Sequence, residues 1–139
     1  MTTTLEGSPK SLLLIGASRG LGLAIAEQYL KQGWHVVGTV RGGDRTKLHA
    51  LREHWKGQLE IETVDINIPD EVVALRTGLK GRMLDLVLVN AGVKNDDRET
   101  IADVSTEEFV RVMVTNALSP LRAIESLGGL VHQIGRAHV

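Results

Sequence analysis

No cysteine occurs in the 139 residues, which removes disulfide frameworks and thiolate metal sites. An excess of one charge sign is also missing, since 16 Lys and Arg stand against 17 Asp and Glu for a formal net charge of -1. No broad basic field is therefore available to hold nucleic acid or an anionic membrane, and any phosphate has to be gripped locally. No apolar run approaches the roughly 18 residues that a membrane span needs. Residues 1–10 (MTTTLEGSPK) lack the apolar stretch of a secretory signal and read as a polar lead-in, so a cytoplasmic location is expected. The 5 histidines show neither HExxH nor a comparable ligand spacing, and no metal is expected. What is present, 42% hydrophobic and 24% charged residues, is the composition of one ordinary globular domain.

Short apolar runs alternate with segments of helical periodicity, the pattern of repeated βα units and a parallel sheet. Ser11 to Ile15 reads as a strand, followed by a helix from Leu21 to Gln32 with Leu21, Ile25 and Tyr29 on one face and Gly33 as its stop. His35 to Val40 is a second strand, Arg41 to Asp44 a loop, and Leu48, Leu51 and Trp55 mark the next helix. The third strand, Leu59 to Asp65, alternates apolar with acidic residues, whereas Leu12 to Ile15 and Leu86 to Val89 are continuously apolar. Alternation predicts a half-solvated edge, and continuity predicts burial on both faces. Pro69 suits the first turn of a helix bearing Val72, Leu75 and Leu79, and Leu84 to Asn90 is the fourth strand. Ser105 and Glu108 form a capping box that opens a long helix to about Leu127, with Phe109, Met113, Asn116 and Pro120 on the face expected to meet the sheet. The fold class is α/β, a Rossmann-type doubly wound parallel sheet of order 3-2-1-4, with the alternating third strand at one edge.

The strongest local signal is IGASRGLG, Ile15 to Gly22, lying directly between the first strand and the first helix. Glycine is needed where the chain turns sharply and its backbone approaches a pyrophosphate, while N–H groups opening the helix supply donors and partial positive charge. The spacing is GxxxGxG through Gly16, Gly20 and Gly22, with Ser18, Arg19 and Leu21 as the intervening candidates. At the end of the fourth strand stand Asn90, Ala91 and Gly92, where doubly wound sheets bind ligands.

On these two motifs the chain resembles the short-chain dehydrogenase/reductase family, whose cofactor loop is TGxxxGxG and whose fourth strand ends in Asn-Ala-Gly. The match covers essentially Ser11 to Pro120, with Ile15 in place of the family's threonine. The resemblance implies a nicotinamide cofactor, with Asp65 and Ile66 beside the adenine ring. A carboxylate accepts the exocyclic amine while a neighbouring backbone N–H serves a ring nitrogen. It further implies that Asn116 holds a water in the proton-relay path, and a buried, hydrogen-bonded amide is expected there. Arg41, at the end of the second strand, is placed to favour the extra phosphate of NADP(H), and Arg19 offers a second planar guanidinium fork. Asp44 leaves NAD(H) open as the alternative if the loop folds back. The charged run KNDDRE, Lys94 to Glu99, reads as a solvated loop and identifies no substrate.

The family transfers hydride between nicotinamide and a carbonyl or alcohol, using a tyrosine proton donor, a lysine that lowers its pKa and an orienting serine. A tyrosine starting near pKa 10 needs that cationic neighbour. The only tyrosine here is Tyr29, with Gly33 four residues on, so YxxxK is absent. The expectation is a fragment ending after the long helix, near a serine-bearing fifth strand that begins about Gly129 to Val131, with an apolar fourth-strand edge left open to pairing. Residues 134–139 (IGRAHV) back-translate to ATCGGAAGAGCACACGTC, a common sequencing-adapter string, and are expected to be a non-native tail on the incomplete domain 11–133. The expected partner is a small carbonyl or alcohol, with no nucleic acid and no membrane, and the parent is expected to be a homo-oligomer. Alternatives are a non-catalytic dinucleotide-binding module and an epimerase-like relative with tightly held NAD.

Overall fold

In a computed structural model of the chain, the structure describes residues 9–90 and 103–138, with the backbone alone at 132–138. The elements run β1 (Ser11–Ile15), α1 (Gly20–Lys31), β2 (His35–Val40), α2 (Lys47–His54), β3 (Leu59–Thr63), α3 (Pro69–Leu79), β4 (Leu84–Val89), α4 (Thr106–Met113), a π turn (Val114–Leu118), α5 (Ser119–Leu127), a 3-10 turn (Gly128–Leu130) and β5 (Val131–His138). The strands form one parallel sheet of order β3-β2-β1-β4-β5. The order through β4 is the expected one, and the fifth strand expected to begin about Gly129 to Val131 starts at Val131, but the expectation of an open β4 edge is corrected. The backbone of β5 pairs with β4, with a register shift between Leu84 and Leu86.

Successive strand residues point to opposite faces, which sorts the apolar runs into two cores. Leu13, Ile15, Val37 and Val87 meet α3 and α5 through Leu75, Leu79, Ala123 and Leu127. Leu12, Leu14, Val36 and Val40 meet α1 and α2 through Ala26, Leu30 and Leu48. Both faces of β1 are therefore filled, as its unbroken LLLI run requires. β3 buries Leu59 and leaves Glu62 exposed, so the alternating strand takes the edge.

Two helical faces differ from their periodicity. In α1 the buried residues are Gly22, Ala26 and Leu30, one position beyond Leu21, Ile25 and Tyr29, and Leu21 is 67% exposed. Small residues face the sheet because α1 packs closely on the glycine turn. The long helix contains a π turn, and its inward face is offset from the expected row already in α4, where Glu108 and Val112 are the half-buried residues. Thr115, Ser119, Pro120, Ala123 and Leu127 then face inward, while Phe109 and Met113 are exposed. Asn116, expected to be buried, lies on the exposed side of that turn. At the helix start, Ser105 Oγ accepts the Glu108 N–H at 3.0 Å, and the Glu108 carboxylate pairs with Arg111 at 2.7 Å. A full capping box appears instead at α2, between Thr46 and His49.

Candidate functional site

β1 delivers the chain to its carboxyl end at Ile15, and the turn to α1 passes through Gly16 at φ 89° and Gly20 at φ 57°. These are left-handed conformations that only glycine adopts without strain. The two neighbouring strands clamp the turn. From β2, the buried Thr39 accepts Gly16 N–H on Oγ1 at 3.1 Å and Ala17 N–H on its carbonyl at 2.9 Å. From the end of β4, Asn90 N–H donates to the Ile15 carbonyl at 2.8 Å, and Asn90 Nδ2 donates to the Gly16 carbonyl at 3.4 Å. A Cβ at Gly22 would stand 1.9 Å from the Gly16 oxygen and 2.8 Å from Asn90 Nδ2, so the helix can approach the turn this closely only without a side chain.

The first turn of α1 is left electrically open. Arg19 at its N-cap makes no side-chain capping bond, and the turn carries no acidic residue. By contrast, α2 and α4 are capped by Thr46 and Ser105, and α3 begins with Pro69, Asp70 and Glu71. Unpaired N–H groups and the positive end of the helix dipole thus face outward where an anion can meet them.

Above the turn lies a cleft of about 490 Å³, set between the carboxyl ends of the strands. One wall is the glycine turn, with Gly16, Ser18, Arg19 and Gly20; another follows β2, with Arg41, Gly42 and Asp44; the third includes Val64, Ile66, Asn90 and Thr115. The structure therefore brings Gly16, Ser18, Arg19, Gly20, Arg41, Ile66 and Asn90, all candidates from the sequence, together on one cleft. Gly22 acts from behind the turn, and Leu21 projects into solvent outside the lining. Asp65 is also outside it: its carboxylate accepts the Asn67 N–H at 2.9 Å, and its own N–H goes to Glu71 at 2.9 Å. Asn116 is not part of the lining, although its neighbour Thr115 is. Ala91 and Gly92 lie outside the described residues. Thr39, Thr46, Val64 and Thr115 were not identified from sequence. Thr39 carries a usable signal, since it is a lone hydroxyl in a buried strand.

Arg19 and Arg41 stand on the same cleft, both exposed, and among the described residues neither has an acidic partner. Arg45 is differently placed. It is paired with Glu53, whose pKa it lowers first by that hydrogen bond and then by its charge. The two guanidinium groups, unpaired among the described residues, and the uncapped helix fit a ligand with several phosphates.

Fold and cleft together define a Rossmann-type nucleotide-binding domain. The profile of the family described as short chain dehydrogenase matches residues 10–133, and the chain belongs to that family. Among solved structures it is similar to a protein described as a short-chain dehydrogenase/reductase from Burkholderia multivorans with bound NADP, at 52% identity and TM-score 0.89, over 94% of this chain and 57% of that one. It is also similar to a carbonyl reductase from Pseudomonas aeruginosa in complex with NADP, at 32% identity and TM-score 0.87, over 94% of this chain and 57% of that one. Protein FixR of Bradyrhizobium diazoefficiens is 30% identical over 130 residues, 88% of this chain and 46% of its own length. The chain thus spans about half the length of the relatives it matches. Among the described residues no helix is long and apolar enough to cross a membrane.

Proposed function

We propose that the chain is the nucleotide-binding part of an NADPH-dependent oxidoreductase that interconverts a small carbonyl compound and its alcohol. The observation that carries the cofactor choice is the pair Arg19 and Arg41 on one cleft without acidic partners among the described residues. A guanidinium fork matches phosphate oxygens bidentately, and NADP differs from NAD by one such phosphate. Relatives with NADP in their structures support this reading, and Asp44 on the same wall keeps NADH as the competing cofactor.

When bound, the dinucleotide supplies a hydride at its nicotinamide ring. The chain's own residues hold the diphosphate against the opening of α1, aim two arginines at the adenosine end and offer Val64 and Ile66 as an apolar wall for a planar base. They supply no proton donor at the cleft from Tyr29. That ring is half-buried near the C-terminal end of α1, edge-to-face with Trp34 at 4.8 Å, and is absent from the cleft lining. This favours binding without turnover by the 139-residue chain.

Fluorescence titration of the chain with NADPH and NADH tests the proposal. Arg41→Ala is expected to weaken NADPH about ten-fold, the equivalent of roughly 1.4 kcal/mol, and to leave NADH nearly unchanged. Equal losses for both cofactors would sink the phosphate assignment, and no binding by either would sink the nucleotide assignment.

We place the parent enzyme in the cytoplasm, with small-molecule substrates and no nucleic-acid or membrane partner, as a homo-oligomer. Exposed Phe109, Met113 and Leu121 on the α4 to α5 face support self-association, which light scattering of the full-length parent would decide. Residues 134–139 we take to be foreign to that parent. Reading the source gene past the codon for Gln133 checks this: continuation into a serine-bearing strand and YxxxK is expected, and a genomic IGRAHV tail would overturn it.

A further inference from the structure

Two buried hydroxyls share one exposed amide. Thr115 is 2% and Ser119 1% exposed, and they stand four residues apart where the π turn passes into α5. Asn67, in the loop between β3 and α3, donates from Nδ2 to Thr115 Oγ1 at 2.9 Å and accepts the Ser119 hydroxyl on Oδ1 at 2.5 Å. A carboxamide carries donor and acceptor on one rigid plane, so a single side chain can serve both hydroxyls. Ser119 gives its proton to Asn67 rather than to a carbonyl of its own helix, the usual resort of a mid-helix serine.

This bridge touches the cleft from both ends. Thr115 lines it directly, and so does Ile66, the residue before Asn67. The loop is made rigid at the same point, because Asn67 N–H is held by Asp65 Oδ1 at 2.9 Å and Asp65 N–H by Glu71 Oε1 at 2.9 Å. Asn67 itself is exposed, so hydrogen bonds rather than packing set its orientation. The residue that follows Thr115 is Asn116, in the middle of the π turn.

We propose that Asn67 is a positioning residue that locks the Val64–Ile66 wall of the nucleotide cleft to the π turn carrying Asn116, so that occupancy of the base-binding wall stiffens that turn. The inference rests on the nucleotide-binding reading above. Because linkage is reciprocal, loosening the turn must weaken the nucleotide as much as the nucleotide tightens the turn.

The test is amide hydrogen exchange on the 139-residue chain with and without adenosine 2′,5′-bisphosphate, a probe that lacks the nicotinamide half. In the wild type, the probe is expected to slow exchange in residues 64–68 and 114–119 together. In Asn67→Ala and in the isosteric Thr115→Val it is expected to slow only the first segment, with affinity reduced about ten-fold for loss of a hydrogen bond to a group that is otherwise buried. Thr115→Ser, which keeps the hydroxyl, is expected to restore both the paired protection and the affinity. Thr115→Val guards against misfolding of the alanine variant, since it preserves volume.

Unchanged exchange at 114–119 when the wild type binds the probe would overturn the proposal, as would wild-type coupling in Thr115→Val. Failure of the wild type to bind the probe would remove the nucleotide reading instead. The link is then decided in the ligand-free chain, where Thr115→Val must speed exchange in both segments and equal exchange overturns it.

Discussion

At the scale of single residues, the cleft depends on what is missing from Gly22. Its absent side chain lets α1 come within reach of the Gly16 carbonyl, and the 1.9 Å distance that a Cβ would meet leaves no room for adjustment against backbone. Gly22→Ala is therefore expected to destabilise the fold by about 1–3 kcal/mol and to remove NADPH binding, because the turn and helix must separate. A thermal melt beside a cofactor titration checks both, and a variant that melts and binds like the wild type would show the close approach to be unimportant. Glycines are legible in sequence because their spacing between a strand and a helix has few other uses. Thr39 is less so. Its role as an acceptor for Gly16 N–H depends on the register that sets β2 beside β1, which one strand's sequence does not contain.

At the scale of elements, strands and helices follow from apolar periodicity, and their boundaries agree with the structure to within a residue or two at most ends. Periodicity misleads where a helix keeps its large apolar side chains exposed, as α4 does with Phe109, Val110 and Met113. A row drawn at 3.6 residues per turn from Phe109 puts Asn116 against the sheet, but Phe109 and Met113 are already exposed ahead of the π turn, and the inward face runs instead through the half-buried Glu108 and Val112 to the buried Thr115 and Ser119. For the same reason the Asn67 bridge is not legible: it joins loop and helix residues whose facing is set by tertiary packing. A second cluster lies away from the cleft, where Arg82 donates to Glu60 at 3.1 and 2.6 Å and His35 Nε2 stands 2.5 Å from the same carboxylate. The Arg82 hydrogen bonds hold Glu60 below the usual carboxylate range, with burial opposing and His35 assisting. A depressed carboxylate pKa stabilises the fold above its unfolded value, near 4.3, and that contribution is lost as pH falls through the folded value. Glu60→Gln should thus lower the melting temperature at pH 6 and have little effect at pH 3. With Glu60 and Arg82 side chains 41% and 37% exposed, solvent screening limits the difference to less than about 1 kcal/mol. An equal gap between variant and wild type at both pH values would rule the ion pair out as its source.

At the scale of the whole molecule, composition and alternation place β3 at one edge, and the order through β4 follows from right-handed crossovers. What they miss is not the start of the fifth strand, expected about Gly129 to Val131, but its pairing along β4, which carries no period long enough to read. The corrected edge changes the expectation for association: β4 is flanked on both sides, so its apolar run is not the exposed pairing surface that a four-strand sheet would present. Exposed apolar side chains are found instead along α4 and α5, through Phe109, Met113 and Leu121.

The strand order also has a meaning in time. β1 leaves the ribosome first yet ends in the middle of the sheet, with β2 and β3 added outward on one side before β4 arrives on the other. During synthesis the glycine turn therefore has one clamp, Thr39, for as long as it takes to make the stretch up to Asn90, which supplies the second. Until then, the half-sheet of β1, β2 and β3 exposes Leu12, Leu13 and Leu14 along its inner edge, and any nucleotide cleft has only part of its walls. Domains that are finished late in this way depend on the pace of translation and on chaperones shielding the waiting edge.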